Sequence, residues 1–367
     1  MRTGITNLPL HGGKAPYWLF EKMKRLSREI MLFISSEFGP EEFLNKIADP
    51  IWFQALGCVL GFDWHSSGVT TTVCGAIKEA SKGIENDIGF YIAGGKGGTS
   101  RKTPLEIMAA AEKESKDFEN LVYSSKIVAK VDSTALQDGY QLYHHCFLFT
   151  KDGKKWAVIQ QGMNEDTKYA RRYQWLSDKV DSFICEPHNA ISCDVTSEVL
   201  NLVAFESQKA QEIITQISEQ KPEKTIKEIQ KINNYIDEIK QKNIITYPKR
   251  HYIKTSDIEL NRLSKIFQST YERKPENFEK LIAMPGVGPK TVRSLALISE
   301  LIYSTPYSIK DPVRFSFAHG GKDGIPYPVD KETYNKSIDI LHNALKESKI
   351  GLNDKVNAIK RLALFYI

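Results

Sequence analysis

Long apolar runs are absent from this sequence of 367 residues. No stretch of about 18 consecutive apolar residues occurs, which argues against a transmembrane helix. The first residues, MRTGITNLPLHGGKAPYW, contain no continuous apolar segment of the kind that a secretory signal peptide needs. We therefore expect a cytoplasmic protein that does not enter a membrane.

Cysteine is scarce, with five residues in the chain, and no two of them form a CxxC pair. An odd number of scattered cysteines argues against both a disulfide framework and a structural zinc site. Cys185 and Cys193, with His188 between them, have the residue types of a metal knuckle but no recognised zinc spacing. We therefore expect reduced thiols without a metal.

A strong excess of one charge is also missing. Lys and Arg number 50 against 45 Asp and Glu, and the formal net charge is +5. A mildly basic chain is compatible with a phosphate-rich partner, but many enzymes have the same balance. The charge therefore permits nucleic-acid binding without predicting it, and the length predicts two domains.

The first half of the chain, residues 1–195, predicts a mixed α/β domain, because it is rich in glycine, aromatic and β-branched residues. Apolar runs predict strands at 55–62, 88–93, 140–149 and 155–161. Apolar spacing predicts helices at 17–37, 70–80, 104–114 and 168–176. The Asp-Gly pair at Asp152 and Gly153 indicates a β-hairpin between the last two strands.

The second half predicts helices. Residues 196–255 are rich in Lys, Glu, Gln and Ile, and we interpret them as a helical connector that Pro222 interrupts. Residues 256–367 show helical spacing again. The expected fold class is therefore α+β, a mixed α/β N-terminal domain followed by an all-α helix–hairpin–helix domain.

One motif carries most of the functional information. Residues 278–297, FEKLIAMPGVGPKTVRSLAL, predict two helices joined by a tight glycine hairpin. Glycine permits a positive φ and a close approach to phosphate, and the first N–H groups of the second helix attract an anion. Such contacts position a protein on DNA without reading its sequence. The predicted contacts are Gly286, Val287, Gly288, Lys290, Thr291 and Arg293. A plain αα-corner is the alternative.

This motif resembles the helix–hairpin–helix superfamily of DNA repair proteins, particularly glycosylases with LPGVGxKT followed by a catalytic aspartate. Lys290 holds the position of the lysine that attacks the sugar C1′ in that group, and Asp311 begins a similar Asp-Pro-Val-Arg segment. The resemblance implies a glycosylase/AP lyase without a cofactor, in which Lys290 is the nucleophile and Asp311 stabilises the oxocarbenium-like sugar. However, Val313 stands where the superfamily has histidine, and non-catalytic copies also carry this lysine.

A second resemblance covers nearly the whole chain. The segments WFQALGCVLGFDWHSSGVTT, KVDSTALQDGYQLYHH and DPVRFSFAHGGKDGIPYPVD resemble the prokaryotic family catalogued as DUF763. The family name records no established function. The resemblance therefore supports the architecture and implies no chemistry.

The N-terminal half contains a second candidate centre. Asp63 and His65 follow a predicted strand, at the kind of position where ligands bind in α/β sheets. Together with Asp132 they could form a nuclease centre, with Mg²⁺ or Mn²⁺ on the two carboxylates. The alternative is a helix N-cap at Ser67 or Thr70, with His65 in the core.

Two basic segments extend the predicted DNA surface. The sequence KYARR places Arg171 and Arg172 beside aromatic residues, which suits backbone contacts and base stacking. A solvated helix face explains the same pattern. Arg314 and the glycine loop FAHGGKDG, with His319 and Lys322, follow the candidate aspartate closely and are further predicted DNA contacts.

Three functions thus stay open. The chain could be a lesion-specific DNA glycosylase/AP lyase, a metal-dependent, structure-specific nuclease with its site in the N-terminal domain, or a non-catalytic DNA-binding repair factor. In each case the expected partner is DNA, bound through its backbone without strong sequence preference. Chelation separates the two enzymes, because Schiff-base chemistry needs no metal.

Overall fold

The protein is described by a computed structural model over residues 15–61, 68–240, 260–315 and 331–363. The fold is a mixed α+β fold, as the sequence predicts. The helices are α1 (Tyr17–Phe38), α2 (Pro40–Ala48), α3 (Pro50–Val59), α4 (Gly68–Ser81), α5 (Glu85–Ile88), α6 (Thr103–Glu114), α7 (Glu119–Lys130), α8 (Gln208–Ser218), α9 (Pro222–Lys240), α10 (Leu260–Arg273), α11 (Phe278–Ala283), α12 (Pro289–Leu301), α13 (Lys331–Glu347) and α14 (Leu352–Ala363). The strands are β1 (Phe90–Lys96), β2 (Leu136–Gln137), β3 (Gln141–Thr150), β4 (Trp156–Met163), β5 (Ala170–Leu176), β6 (Ala190–Ser192) and β7 (Leu200–Asn201).

The main sheet is antiparallel and has the strand order β1-β3-β4-β5-β6, while β2 pairs with β7. The register of β1 on β3 sets Gly94 opposite Cys146. The β3–β4 hairpin turns at the predicted Asp-Gly pair, where Gly153 has a φ of +74° and its N–H donates to the Thr150 carbonyl at 2.9 Å. The predicted strands at 88–93, 140–149 and 155–161 are therefore confirmed within a few residues.

The chain divides into two compact units, each assembled from separated segments. The first contains Met1–Lys116, His144–Gln161 and Phe315–Ile367, and the second contains Asp117–Tyr143 and Gly162–Arg314. Helices α11 and α12 belong to the second unit together with β5 and β6. The described residues therefore show no separate all-α domain.

In the first unit, the long helix α1 packs against α2, α4 and α13. Met23, Ile30 and Ile34 lie on its buried face, at the spacing that brings side chains onto one side of an α-helix. Helices α13 and α14 both contact α3. The helices predicted at 17–37, 70–80 and 104–114 are confirmed as α1, α4 and α6.

The strand predicted at 55–62 is wrong, because Pro50–Val59 forms helix α3. Asp49 caps this helix by accepting hydrogen bonds from the N–H groups of Ile51 and Trp52 at 2.8 and 2.7 Å, and Pro50 occupies its first turn. The helix is buried nearly all round, so its apolar run has no amphipathic period. A continuous apolar run cannot distinguish a buried strand from a buried helix, which explains the error.

In the second unit, α12 packs on α8 and α9, and α11 packs on α7 and α8. Helix α8 ends at Ser218 and α9 begins at Pro222, so the predicted helix break is confirmed. The helix predicted at 168–176 is wrong, because Ala170–Leu176 forms strand β5 with every residue buried. A strand covered on both faces has no polar period in its sequence, and tertiary packing decided its conformation.

Among the described helices, none is long and apolar enough to span a membrane.

Candidate nucleic-acid interface and the buried polar clusters beside it

The two helices and the glycine turn predicted for residues 278–297 are present in the second unit, as α11, α12 and the residues between them. Helix α11 begins after Asn277, whose side chain accepts a hydrogen bond from the Lys280 N–H at 2.9 Å. It ends at Ala283, and α12 begins at Pro289. Gly286 has a φ of +87°, the left-handed conformation that disfavours a side chain. Local sequence therefore determines this hairpin.

The second hairpin glycine has a different environment. Gly288 is the N-cap of α12, and its φ of −141° is extended backbone that any residue adopts. A Cβ added at Gly288 would meet no heavy atom within 4 Å. Neither backbone conformation nor packing within the described protein therefore requires glycine at this position.

Side chains of the segment from α7 to β2 support the hairpin by donating hydrogen bonds to its backbone carbonyls. Lys130 Nζ donates to the Val287 carbonyl at 2.5 Å, and Gln137 Nε2 donates to the Pro289 carbonyl at 2.9 Å. Arg293 Nε in turn donates to Gln137 Oε1 at 2.9 Å. Burial lowers the pKa of Lys130, which is consistent with a supporting lysine that has given up most of its water contact. The hairpin backbone is thus anchored on its inner side.

The predicted DNA contacts of the motif separate into two groups by exposure. Lys290 and Gly286 are exposed and Gly288 is half-buried, so all three are accessible. Val287 and Thr291 are buried, as is Arg293, only 2 % of which is exposed. Arg293 donates a hydrogen bond to Gln137 and therefore supports the hairpin. Its buried position is not compatible with its predicted role as a DNA contact.

The burial of Arg171 and Arg172 is likewise not compatible with the basic DNA-binding surface predicted there. Both arginines lie in β5 and are at most 1 % exposed. Arg171 donates to Asp138 Oδ2 at 2.9 Å and to Asp311 Oδ2 at 2.7 Å, and its guanidinium stacks over the Tyr140 ring. A guanidinium between two buried carboxylates cannot also contact a phosphate backbone from this position.

Asp311, the candidate catalytic aspartate, is therefore part of a buried ion cluster. In addition to Arg171, its Oδ2 accepts from the Ser197 N–H and its Oδ1 accepts from the Val313 N–H, each at 3.0 Å. Burial raises the pKa of the neighbouring Asp138, against the opposing effects of Arg171 and of the Tyr173 hydroxyl. Both oxygens of Asp311 thus have protein partners.

Asp132 is fully buried and forms a different cluster from the one predicted. Its Oδ2 accepts from Trp175 Nε1 at 2.9 Å, and its Oδ1 lies 2.5 Å from Nε2 of His188. Because a carboxylate accepts, Nε2 of His188 carries the proton in this pair. Asp63 and His65, the other members of the predicted nuclease centre, lie outside the described residues. The structure instead pairs Asp132 with a histidine 56 residues away.

His188 also lines a small, shallow cleft of the second unit. Two of the residues that line this cleft form an ion pair, in which Arg314 donates to Glu186 at 2.9 Å and about half of each side chain is exposed. The cleft residues are Glu186, His188, Ala190, Ile191, Asn201, Val203, Pro312 and Arg314. An aspartate-held imidazole beside a cleft is the arrangement of a general base. Of the other predicted contacts, His319 and Lys322 lie outside the described residues.

The metal knuckle considered at Cys185, His188 and Cys193 is not assembled. Gln208 donates to Cys185 Sγ at 3.3 Å, whereas Cys193 Sγ lies 3.2 Å from the Tyr140 hydroxyl. Within the described part of the chain, the one group of three or more potential metal ligands is Cys74, His144 and Cys146 in the first unit. Burial lowers the pKa of His144 to about 3, so its imidazole is neutral. No motif spacing in the sequence pointed to this group.

Comparison with protein families gives one match. The family model DUF763, described as a protein of unknown function, matches residues 4–329. The chain belongs to the DUF763 family. Comparisons with curated proteins and with solved structures found no match. The matched residues include the hairpin, both buried polar clusters and the cysteine–histidine group, whereas α13 and α14 lie beyond them.

Proposed function

We propose that this DUF763 protein binds the phosphate backbone of DNA through the α11–α12 hairpin. The observation that carries the proposal is glycine at position 288. Folding does not require it, since the φ of −141° suits any residue and an added Cβ would meet nothing within 4 Å. A phosphate in contact with the backbone would require it, because a side chain there would hold the ligand away.

Charge and helix geometry support the same ligand. An α-helix leaves its first N–H groups without intrahelical acceptors, and its dipole places partial positive charge at that end. Lys290 is exposed in the first turn of α12 and adds a full charge. Lys130 and Gln137 hold the hairpin in place before any ligand arrives, which lowers the ordering cost of binding. Such a surface contacts the backbone and reads no bases.

The test compares two N-cap glycines. Gly288→Val should weaken binding to duplexes of unrelated sequence by about tenfold or more, corresponding to at least ~1.4 kcal/mol. Gly351 precedes α14, is exposed, and would place an added Cβ no closer than 3.9 Å to any heavy atom, so Gly351→Val is the matched control. Fluorescence anisotropy with labelled duplexes measures affinity, and circular dichroism checks folding. Unchanged affinity in a folded Gly288→Val protein contradicts the proposal.

A repair or processing reaction on the bound DNA is the sharper form of the proposal. The accessible Lys290 beside the hairpin supports the glycosylase/AP lyase version. Asp311 supports it less, because Arg171 and two backbone N–H groups already occupy its oxygens. The lyase version therefore depends on Lys290 alone, and sodium borohydride trapping on abasic DNA tests it.

Hydrolysis at the His188 cleft is the second candidate, favoured by the contact between His188 and Asp132. The carboxylate orients the ring, and the other ring nitrogen is the base that could activate water. We expect His188→Asn to abolish nicking of labelled DNA, while His342→Asn on the half-buried face of α13 leaves nicking unchanged. Nicking with and without EDTA reports whether a divalent metal takes part. Equal nicking by both variants rules out this centre, and absence of all strand breakage favours the non-catalytic DNA-binding factor.

A further inference from the structure

Three potential metal ligands meet in the core of the first unit. Cys74 lies on α4, and His144 and Cys146 lie on β3. The two sulfur atoms and a ring nitrogen of His144 all lie within 4.8 Å of one another. Each of the three residues is only 1 % exposed. The group is therefore sealed from solvent and assembled from distant parts of the sequence.

The sheet geometry explains why the three side chains converge. Residues two apart on a strand point to the same face, so His144 and Cys146 share the face of β3 that Cys74 reaches from α4. Helix α4 packs against β1, which pairs with this part of β3. His145 points to the opposite face, where its Nδ1 lies 2.8 Å from Gln160 Oε1.

His144 is a buried side chain without a partner. Neither of its ring nitrogens has a hydrogen-bond partner within the described residues, although both are inaccessible to solvent. Buried polar atoms nearly always have a hydrogen-bond partner, because leaving one unsatisfied destabilises the fold. The neighbouring His145 has Gln160, and His188 in the other unit has Asp132. The orphaned imidazole therefore points to a ligand between it and the two sulfurs.

We propose that Cys74, His144 and Cys146 bind a single thiophilic d¹⁰ cation, Zn²⁺ or Cu⁺. Thiolate and imidazole ligands select these ions, whereas Mg²⁺ and Ca²⁺ need oxygen ligands, which this group does not contain. A tetrahedral Zn²⁺ with bonds of about 2.0–2.3 Å separates its ligand atoms by roughly 3.3–3.8 Å. The observed limit of 4.8 Å requires only a small contraction.

Charge and coordination number distinguish the two ions. Two thiolates and a neutral imidazole leave no net charge around Zn²⁺, but one negative charge around Cu⁺. A buried, uncompensated charge is unfavourable, which favours zinc. Three protein ligands are a complete trigonal set for Cu⁺, whereas zinc needs a fourth ligand. In either case the ion cross-links α4 to β3 and stabilises the first unit.

The experiment measures metal bound to the full-length protein purified under reducing conditions. We expect one equivalent of zinc or copper by elemental analysis, and a thiolate-to-cobalt charge-transfer band when Co²⁺ is added to the metal-free protein. Displacement of cobalt by Zn²⁺, and a separate titration with Cu⁺ against a chromophoric chelator, identify the preferred ion. The double variant Cys74→Ser, Cys146→Ser should lose the band and at least tenfold in affinity.

Cys58→Ser is the matched control, since Cys58 is a half-buried cysteine outside the group. It should keep the full metal content, and added metal should raise its melting temperature as it does that of the wild type. His144→Gln retains both thiols and should bind the metal more weakly, with a shifted cobalt spectrum. The proposal is overturned if folded wild-type protein shows no cobalt band and does not bind Cu⁺, or if Cys58→Ser loses as much metal as the double variant. The wild-type measurement decides even if the double variant does not fold.

Discussion

Replacing Arg171 with methionine separates a structural arginine from a DNA-binding one. The side chain is 0 % exposed and bonds Asp138 and Asp311, whose side chains are 1 % and 5 % exposed. Removing one partner of a buried ion pair typically costs about 3–5 kcal/mol, because it leaves a charge buried without compensation. Here the carboxylates keep other donors, including the Tyr173 hydroxyl on Asp138. We therefore expect a loss near the lower limit, about 3 kcal/mol of unfolding free energy.

The pH dependence of this loss follows from Asp138. Burial already raises the pKa of Asp138, and Arg171 opposes that rise. In Arg171→Met the folded-state pKa of Asp138 rises further above its value in the unfolded chain. The folded variant then binds more protons than the unfolded one between these two pKa values, so its stability falls as pH rises through that window. The deficit relative to wild type should be largest above the raised pKa and smaller in acid.

Urea denaturation followed by circular dichroism and tryptophan fluorescence measures the effect. The control is Arg314→Met, because Arg314 forms an ion pair with Glu186 at the surface, with 51 % of its side chain exposed. An exposed pair contributes at most about 1 kcal/mol. If Arg171→Met costs no more than this control and instead weakens DNA binding, the assignment of Arg171 to a buried ion cluster is refuted.

Three further predictions concern the hairpin. Lys290→Gln should reduce the slope of log affinity against log salt concentration by about one, because one phosphate contact is lost, and an unchanged slope would remove Lys290 from the interface. The lyase version predicts that borohydride traps wild type, but not Lys290→Gln at saturating protein, on abasic DNA; equal trapping of the two proteins ends the nucleophile assignment. Gly286→Ala should cost about 1 kcal/mol of unfolding free energy, because alanine disfavours the φ of +87°. The added Cβ would lie 3.6 Å from Ile266, an ordinary van der Waals contact, so packing should add nothing to this cost. A measured cost above about 3 kcal/mol would mean that packing, and not backbone conformation, requires this glycine.

Local signals account for what could be predicted from the sequence. The hairpin needs a left-handed residue at Gly286 and a helix start at Pro289, and both requirements are visible in the letters themselves. The buried residues of helix α1 recur at helical spacing along the sequence. The Asp152-Gly153 pair marks the β3–β4 turn by its residue types. In each case the residues that determine the conformation lie within a few positions of one another.

The conformations of α3 and β5, which are both buried on all sides, were predicted wrongly, because no solvent-facing residues mark their period. Helix α3 is a continuous apolar run that fits a strand equally well. In β5 even Arg171 and Arg172 are inside, although arginine is rarely buried without a partner. Only the tertiary structure supplies Asp138 and Asp311, whose carboxylates offset the cost of burying Arg171.

The sequence by itself thus determined several helices and turns, the α+β composition and the exposed glycine hairpin, because backbone conformation and helix capping depend on neighbouring residues. The tertiary structure decided which polar residues meet. It places Arg171, which was predicted to lie on a DNA-binding surface, in a buried ion cluster, and it pairs Asp132 with His188. It also brought Cys74 to His144 and Cys146. Contacts between residues so far apart in the chain depend on how helices and strands pack, and no spacing in the sequence encodes them.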